Sequence, residues 1–203
     1  MPLFAFILTA TVLTASPAAG GDWSATFVEA FRAACVPQRL SYEGTLAQAS
    51  AEGWSEFAPA DHAEFGAVMA KADAALKAEA AEMEIDYRGA SYAREVGGRP
   101  LHLFVSLVET EYLNAVGCYL YDFEAGEPVR AAAVSNVLGI KPAQSHSDDA
   151  LVATVWGPPP SMPRTLDTHL IFIPAGSPHA ETTSFDGVVL KFETSVPGKE
   201  GER

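Results

Sequence analysis

The chain has 203 residues, 26 of them acidic against 13 Lys and Arg, for a net charge of −13. A domain of that charge is repelled by a phosphate backbone or an anionic lipid surface, which excludes nucleic-acid binding as a first expectation and leaves a basic protein or peptide as the partner class favoured by charge. With two cysteines, no Cys-x-x-Cys and a length suited to one self-sufficient core, the sequence also argues against a thiol-redox enzyme or a multidomain assembly.

Residues 1–20 carry no charged side chain. Leu3 to Leu13 is almost wholly apolar, and Ala15, Ser16, Pro17, Ala18, Ala19 and Gly20 follow. The run is too short to span a bilayer, which takes about 20 apolar residues. It has the dimensions of a signal-peptide apolar region followed by a small-residue cleavage zone, although no Lys or Arg precedes it. The expectation is a cleaved leader over 1–20, a single domain over 21–196 and a frayed tail over 197–203. No membrane insertion is expected after cleavage, so the protein is read as periplasmic or secreted. In such a compartment the even pair Cys35 and Cys118 is expected to form a disulfide.

Asp22 to Val36 is read as an amphipathic helix, with Trp23, Phe27, Phe31 and Ala34 on one face and Pro37 as its stop. A second helix is expected from Ser41 or Tyr42 to Glu52, ended by Gly53. A third starts near Asp61, where Asp61 and Glu64 resemble a capping box. Phe65, Met69, Leu76 and Met83 form its stripe, expected to pack on Leu101, Leu103, Val105 and Leu107.

After residue 84 the hydrophobic period changes to two. Strands are expected at 84–88, 91–96, 101–108, 117–123, 150–156, 168–173 and 187–193, with a hairpin turn at Gly97-Gly98. Pro128 to Leu138 reads as a helix closed by Gly139. Helices first and strands after make the fold class α+β: an antiparallel sheet of five to seven strands with N-terminal helices packed on one face.

The sequence holds no Gly-x-Ser-x-Gly elbow, no His-Glu-x-x-His, no Walker loop and no Gly-x-Gly-x-x-Gly, so no cofactor is expected. The histidines that could reach one sheet edge are His146, His169 and His179. Together with a carboxylate they would make a zinc site, and with it a metal-assisted hydrolase of the cell envelope. The other candidate is aromatic. Tyr119, Tyr121 and Phe123 share one strand face; if Cys118 faces the helices, Tyr119 and Tyr121 face an open side, where with Phe104 and Trp156 they would form a binding surface. Cross-strand packing and loop anchoring are the alternatives for these aromatics.

Phe31-x-x-x-Cys35, Gly53-Trp54 and Gly117-Cys118 together resemble a pattern in small exported bacterial proteins of unknown function. That resemblance implies a periplasmic location and a disulfide, and no activity. The resulting expectation is a non-catalytic binding or envelope-maintenance module for a protein or peptide partner, one form of it an inhibitor of a cationic envelope-degrading enzyme. The metal-assisted hydrolase is the rival.

Overall fold

A computed structural model of the protein describes residues 22–80 and 85–198. The expected leader, Met83 and the last five residues of the expected tail lie outside them.

The amphipathic start folds as α1, Trp23–Cys35, capped by the Asp22 side chain, which accepts from the Ser24 N–H. The second helix, α2, runs Tyr42–Ala51 with Ser41 as its cap. Two short elements follow, strand β1 (Ser55–Glu56) and a 3-10 turn (Pro59–Asp61), and then α3 (Ala63–Ala80). The cap of α3 is not the Asp61–Glu64 box: His62 Nδ1 accepts from the Phe65 N–H at 3.2 Å.

The strand half begins with β2 (Asp86–Val96), β3 (Arg99–Glu109) and β4 (Leu113–Asp122). The hairpin between β2 and β3 turns on Gly97 and Gly98, both at positive φ, as their sequence requires. Helix α4 (Ala131–Leu138) ends on Gly139 in the left-handed region. After it come β5 (Gln144–Ser147), β6 (Val152–Trp156), β7 (Thr165–Ile173), the short helix α5 (Pro178–Thr183) and β8 (Gly187–Pro197).

These strands form one antiparallel sheet of eight, in the order β1-β2-β3-β4-β8-β7-β6-β5. The fold is α+β, with one strand more than the upper expected number. The segments 84–88 and 91–96 merge into the single strand β2, because Gly89 continues the ladder opposite Ser106. The two strands unforeseen are the edges, β1 and β5, which are too short and too polar to show a period.

Both faces of the sheet are covered. On the front, α1, α2 and α4 bury Phe27, Val28, Phe31 and Val134 against Leu101, Leu103, Val105, Leu120, Leu190 and Phe192. Cys35 at the end of α1 is bonded to Cys118 on β4, with Cα atoms 5.9 Å apart. A bridge of this kind persists in an oxidising compartment. Among the described residues no helix is long and apolar enough to cross a membrane.

Helix α3 covers the back. Its Phe65 joins Phe104, Tyr121, Phe123, Phe185 and Val189 in a second, separate core. The expected pairing of the α3 stripe with Leu101, Leu103, Val105 and Leu107 is therefore corrected: those leucines and the valine face the front helices, and α3 lies on the opposite side. Phe65 is the only fully buried residue of α3; Met69 and Leu76 are half-buried.

Candidate binding site

The aromatic row singled out in the sequence lies on the back face, beneath α3. Phe104 pairs with Tyr119 across β3 and β4, their ring centroids 5.9 Å apart. Tyr121 stacks on Phe123 at 5.4 Å and tilts against Phe65 at 5.7 Å. Phe104 and Tyr121 are 9 % and 7 % exposed, so the open aromatic surface expected there is closed by the helix. Trp156 belongs to neither: it is fully buried in the front core, and its indole N–H donates to Ser135 Oγ at 3.0 Å. It anchors its loop and presents no lip.

The three candidate zinc ligands do not gather. His146 is exposed on β5, its Nε2 2.9 Å from Asp148 Oδ2. His169 sits on β7 opposite Lys191, and burial and that lysine depress its pKa. His179 is exposed in the first turn of α5. Among the described residues no three His, Cys, Asp or Glu side chains are placed to hold a metal ion.

What the back face offers is space. Helix α3 is fastened at its first turns. Phe65 plugs the core, Glu64 Oε1 accepts from the Asp186 N–H at 2.6 Å, and Lys71 Nζ donates to the Thr182 carbonyl. Burial raises the Glu64 pKa. Beyond those turns the helix stands away from the strands. A cleft of about 420 Å³ runs under its second half, between Ala72 and Leu76 above and Ser106, Gly117 and Tyr119 below. A second cleft, of about 700 Å³, opens at the sheet edge between Met69 and Asp73 of α3, Glu56 of β1 with Phe57 just after it, and Leu46 of α2. Met69, Tyr87 and Phe104 wall both clefts and join them.

Two glycines make the floor possible. A Cβ on Gly117 would lie 2.6 Å from the Tyr119 ring, and one on Gly89 would lie 2.6 Å from that of Phe104. Each ring therefore folds flat along the sheet across a bare backbone. Laid over Gly117, Tyr119 reaches the next strand and its hydroxyl donates to Glu193 Oε1 at 2.8 Å. Burial and Glu193 both raise the Tyr119 pKa, and burial raises that of Tyr121, so both phenols stay protonated.

Among the described residues the cleft walls carry only acidic charge, but cations stand just outside them: Lys77 Nζ is 2.6 Å from Asp73 Oδ2, and Lys191 Nζ lies 5.5 Å over the Tyr119 ring. Glu56 and Asp73 line the larger and Glu79 and Glu193 the smaller; among the described residues neither has a Lys, Arg or His in its wall. Apolar floor and acidic rim fit a ligand that is apolar on one side and cationic on the other.

Next to this site lies a histidine that sequence patterning leaves unremarked. His102 is 4 % exposed, ringed by Phe57, His62, Phe65 and Phe123 at centroid distances of 4.9, 4.7, 5.3 and 5.4 Å. Its Nδ1 has no hydrogen-bond partner among the described residues. Burial, and secondarily His62, lower its pKa to about 4, so it is neutral at pH 7. Standing on β3 against the Phe65 ring, it is part of the footing of α3.

Of the residues that shape the clefts, Phe104, Tyr119 and Tyr121 were candidates from sequence, whereas Met69, Asp73, Tyr87, Gly89 and Glu193 were not. The one available signal was Gly89, an isolated glycine between two strand patterns, which marks a close approach of another group to the backbone. No protein family matches the chain, and neither a curated protein nor a solved structure does.

Proposed function

We propose that the protein is an exported, non-catalytic binding module, periplasmic or secreted, whose partner is a basic protein or peptide. The observation that carries the reading is the pair of joined clefts beside α3, apolar within and lined, among the described residues, by no cation and by Glu56, Glu79, Glu193 and Asp73, the last of them paired with Lys77. The net charge of −13 draws a basic partner from a distance, and the rim selects it at contact. Export is supported by the apolar leader and by the Cys35–Cys118 bridge.

The test is a titration with two eight-residue peptides, one alternating Val with Lys and one alternating Val with Glu, followed by NMR at the methyl group of Met69. The Lys peptide is expected to bind and shift that resonance, more weakly as salt is raised. The Glu peptide is expected to leave it in place. Equal behaviour of the two, or binding by neither, rejects the reading. Intact mass of the protein from its native envelope tests export: a chain beginning between residues 19 and 21 is expected, and one still beginning at Met1 refutes it.

A further inference from the structure

The larger cleft lies along an unfinished strand edge. Strand β1 pairs with β2 through Ser55 opposite Ala93 and Glu56 opposite Tyr92. One more bond follows, from the Phe57 N–H to the Ser91 carbonyl at 2.9 Å, and then the chain turns away into the 3-10 turn Pro59–Asp61. Strand β2 continues without it down to Asp86. Among the described residues, nothing pairs with Asp86–Ala90 on that side.

The direction of the unpaired groups follows from the ladder. In an antiparallel strand alternate residues point both N–H and C=O to the same side. Ser91 points its carbonyl to Phe57, so Gly89 and Tyr87, two and four residues back, point theirs the same way, into the cleft. Gly89 and Tyr87 both line it.

The walls of the cleft alternate as a strand's side chains do. Tyr87 packs with the back core, as Phe57 does, whereas Ala90 and Tyr92 pack with the front core. A strand laid antiparallel beside Gly89 and Tyr87 would turn every second side chain back toward Met69 and Phe104, and the others forward. On the forward side stand Glu43 and Glu56, close enough to Tyr92 for their charges to help raise its pKa, after burial. Arg88 is the cation there, and it is engaged with Glu43 at 3.3 Å and Glu109 at 3.2 Å.

We infer that the partner adds an extended segment to the sheet in the place β1 vacates, antiparallel to β2, bonded to the backbone of Gly89 and Tyr87, with apolar side chains toward α3 and basic ones toward Glu56. Backbone bonds supply affinity in this mode, and the alternating side chains supply selection. Any side chain at position 89 would strike the Phe104 ring, so the edge at the centre of the cleft is bare. The inference rests on the binding-module reading and adds how the partner is held.

N-methylation of the peptide separates the two. In the geometry above, the Val residues of the Val-Lys peptide face α3 and point their N–H groups at β2, while the Lys N–H groups point to solvent. Methylating the Val nitrogens is expected to weaken binding about tenfold or more, through loss of at least two backbone bonds. Methylating the Lys nitrogens is expected to change it less than about threefold. The unmodified peptide is also expected to slow hydrogen exchange at Gly89 and Tyr87. If both methylated peptides bind like the parent, or the Lys set is the one that fails, strand addition is overturned while the binding-module reading stands. If the unmodified peptide does not bind, both fall.

Discussion

The two faces of this sheet are built from the same strands and differ in almost everything else. The front is covered by three helices, and α1 alone contributes Phe27, Val28, Phe31, Ala34 and Cys35, all without exposed surface. It is bonded to the sheet through Cys35 and Cys118. The back is covered by the single long helix α3, which sinks one side chain, Phe65, and then stands over two clefts. Amphipathic helices gain stability by burying a continuous stripe. Helix α1 does so; α3 forgoes it along most of its length, and the space left is the candidate site. Stability is concentrated on the face that is closed and access on the face that is not, so damage to either should be separable.

The largest effect is expected from the staple. Replacing Cys35 and Cys118 together with alanine opens a loop of sequence separation 83. In the chain-entropy model such a loop is worth about 4.5 kcal/mol, within a general range of about 2–5. Urea unfolding should register it as a lower midpoint, with the back-face clefts still able to bind the Val-Lys peptide below the transition. Loss of binding in the still-folded variant would show that the faces are not independent. Next comes the footing of α3. Phe65→Ala should cost about 3 kcal/mol, since it removes a ring buried among Tyr121, Phe123 and Phe57. Unlike the cysteine pair it should also speed hydrogen exchange along α3, detaching the helix before the rest unfolds.

Acid should probe the same footing without a substitution. Folded His102 takes up a proton near pH 4, whereas an unfolded histidine does so near pH 6.5. Between those values the unfolded chain holds more protons, so stability contributed by neutral His102 is complete above about pH 6.5 and is lost as the pH falls toward 4. The loss should reach about 2 kcal/mol, after allowance for water admitted to the cage. Urea midpoints from pH 7 down to pH 4, taken beside His102→Phe, check the sign: the variant should lack this part of the slope. An unchanged slope would remove His102 from the account.

Much of the front face was legible in the sequence. The spacing of Trp23, Phe27 and Phe31, the stop at Pro37 and the lone pair of cysteines led to α1 and its bridge, because each is a local signal or a count. The Gly97-Gly98 turn was legible for the same reason. The side taken by α3 was not. Strands β3 and β4 are apolar on both faces, with Leu101, Leu103 and Val105 forward and Phe104, Tyr119 and Tyr121 backward, so period-two alternation cannot say which face a given helix covers. Placing α3 on the leucine face left the tyrosines open in expectation, and the expected contact surface followed from that one choice. Trp156 misled for a related reason: its neighbours in sequence are prolines of a surface loop, while its partner Ser135 comes from α4. The edge strand β5, Gln-Ser-His-Ser, has no apolar residue from which to read a period.

The smallest effect is the most direct test of the contrast between the faces. Leu76 lies on the inward side of α3 yet is only partly buried, and it lines the smaller cleft. Leu101 has the same chemistry on the front, with no exposed surface. A leucine truncated in a packed core loses the transfer free energy of its removed atoms and leaves a cavity behind, about 2–5 kcal/mol together. At Leu76 part of the transfer term is absent, because the side chain is already in part solvated, and the cavity term has little meaning where a cleft of about 420 Å³ exists. Leu76→Ala should therefore cost about 1 kcal/mol, with part of the loss offset because alanine is the better helix former, while Leu101→Ala should cost at least about 2. Paired urea titrations of the two variants decide it. Equal costs would mean that α3 is packed down on the sheet as tightly as the front helices are, and the clefts beneath it would not be there to bind anything.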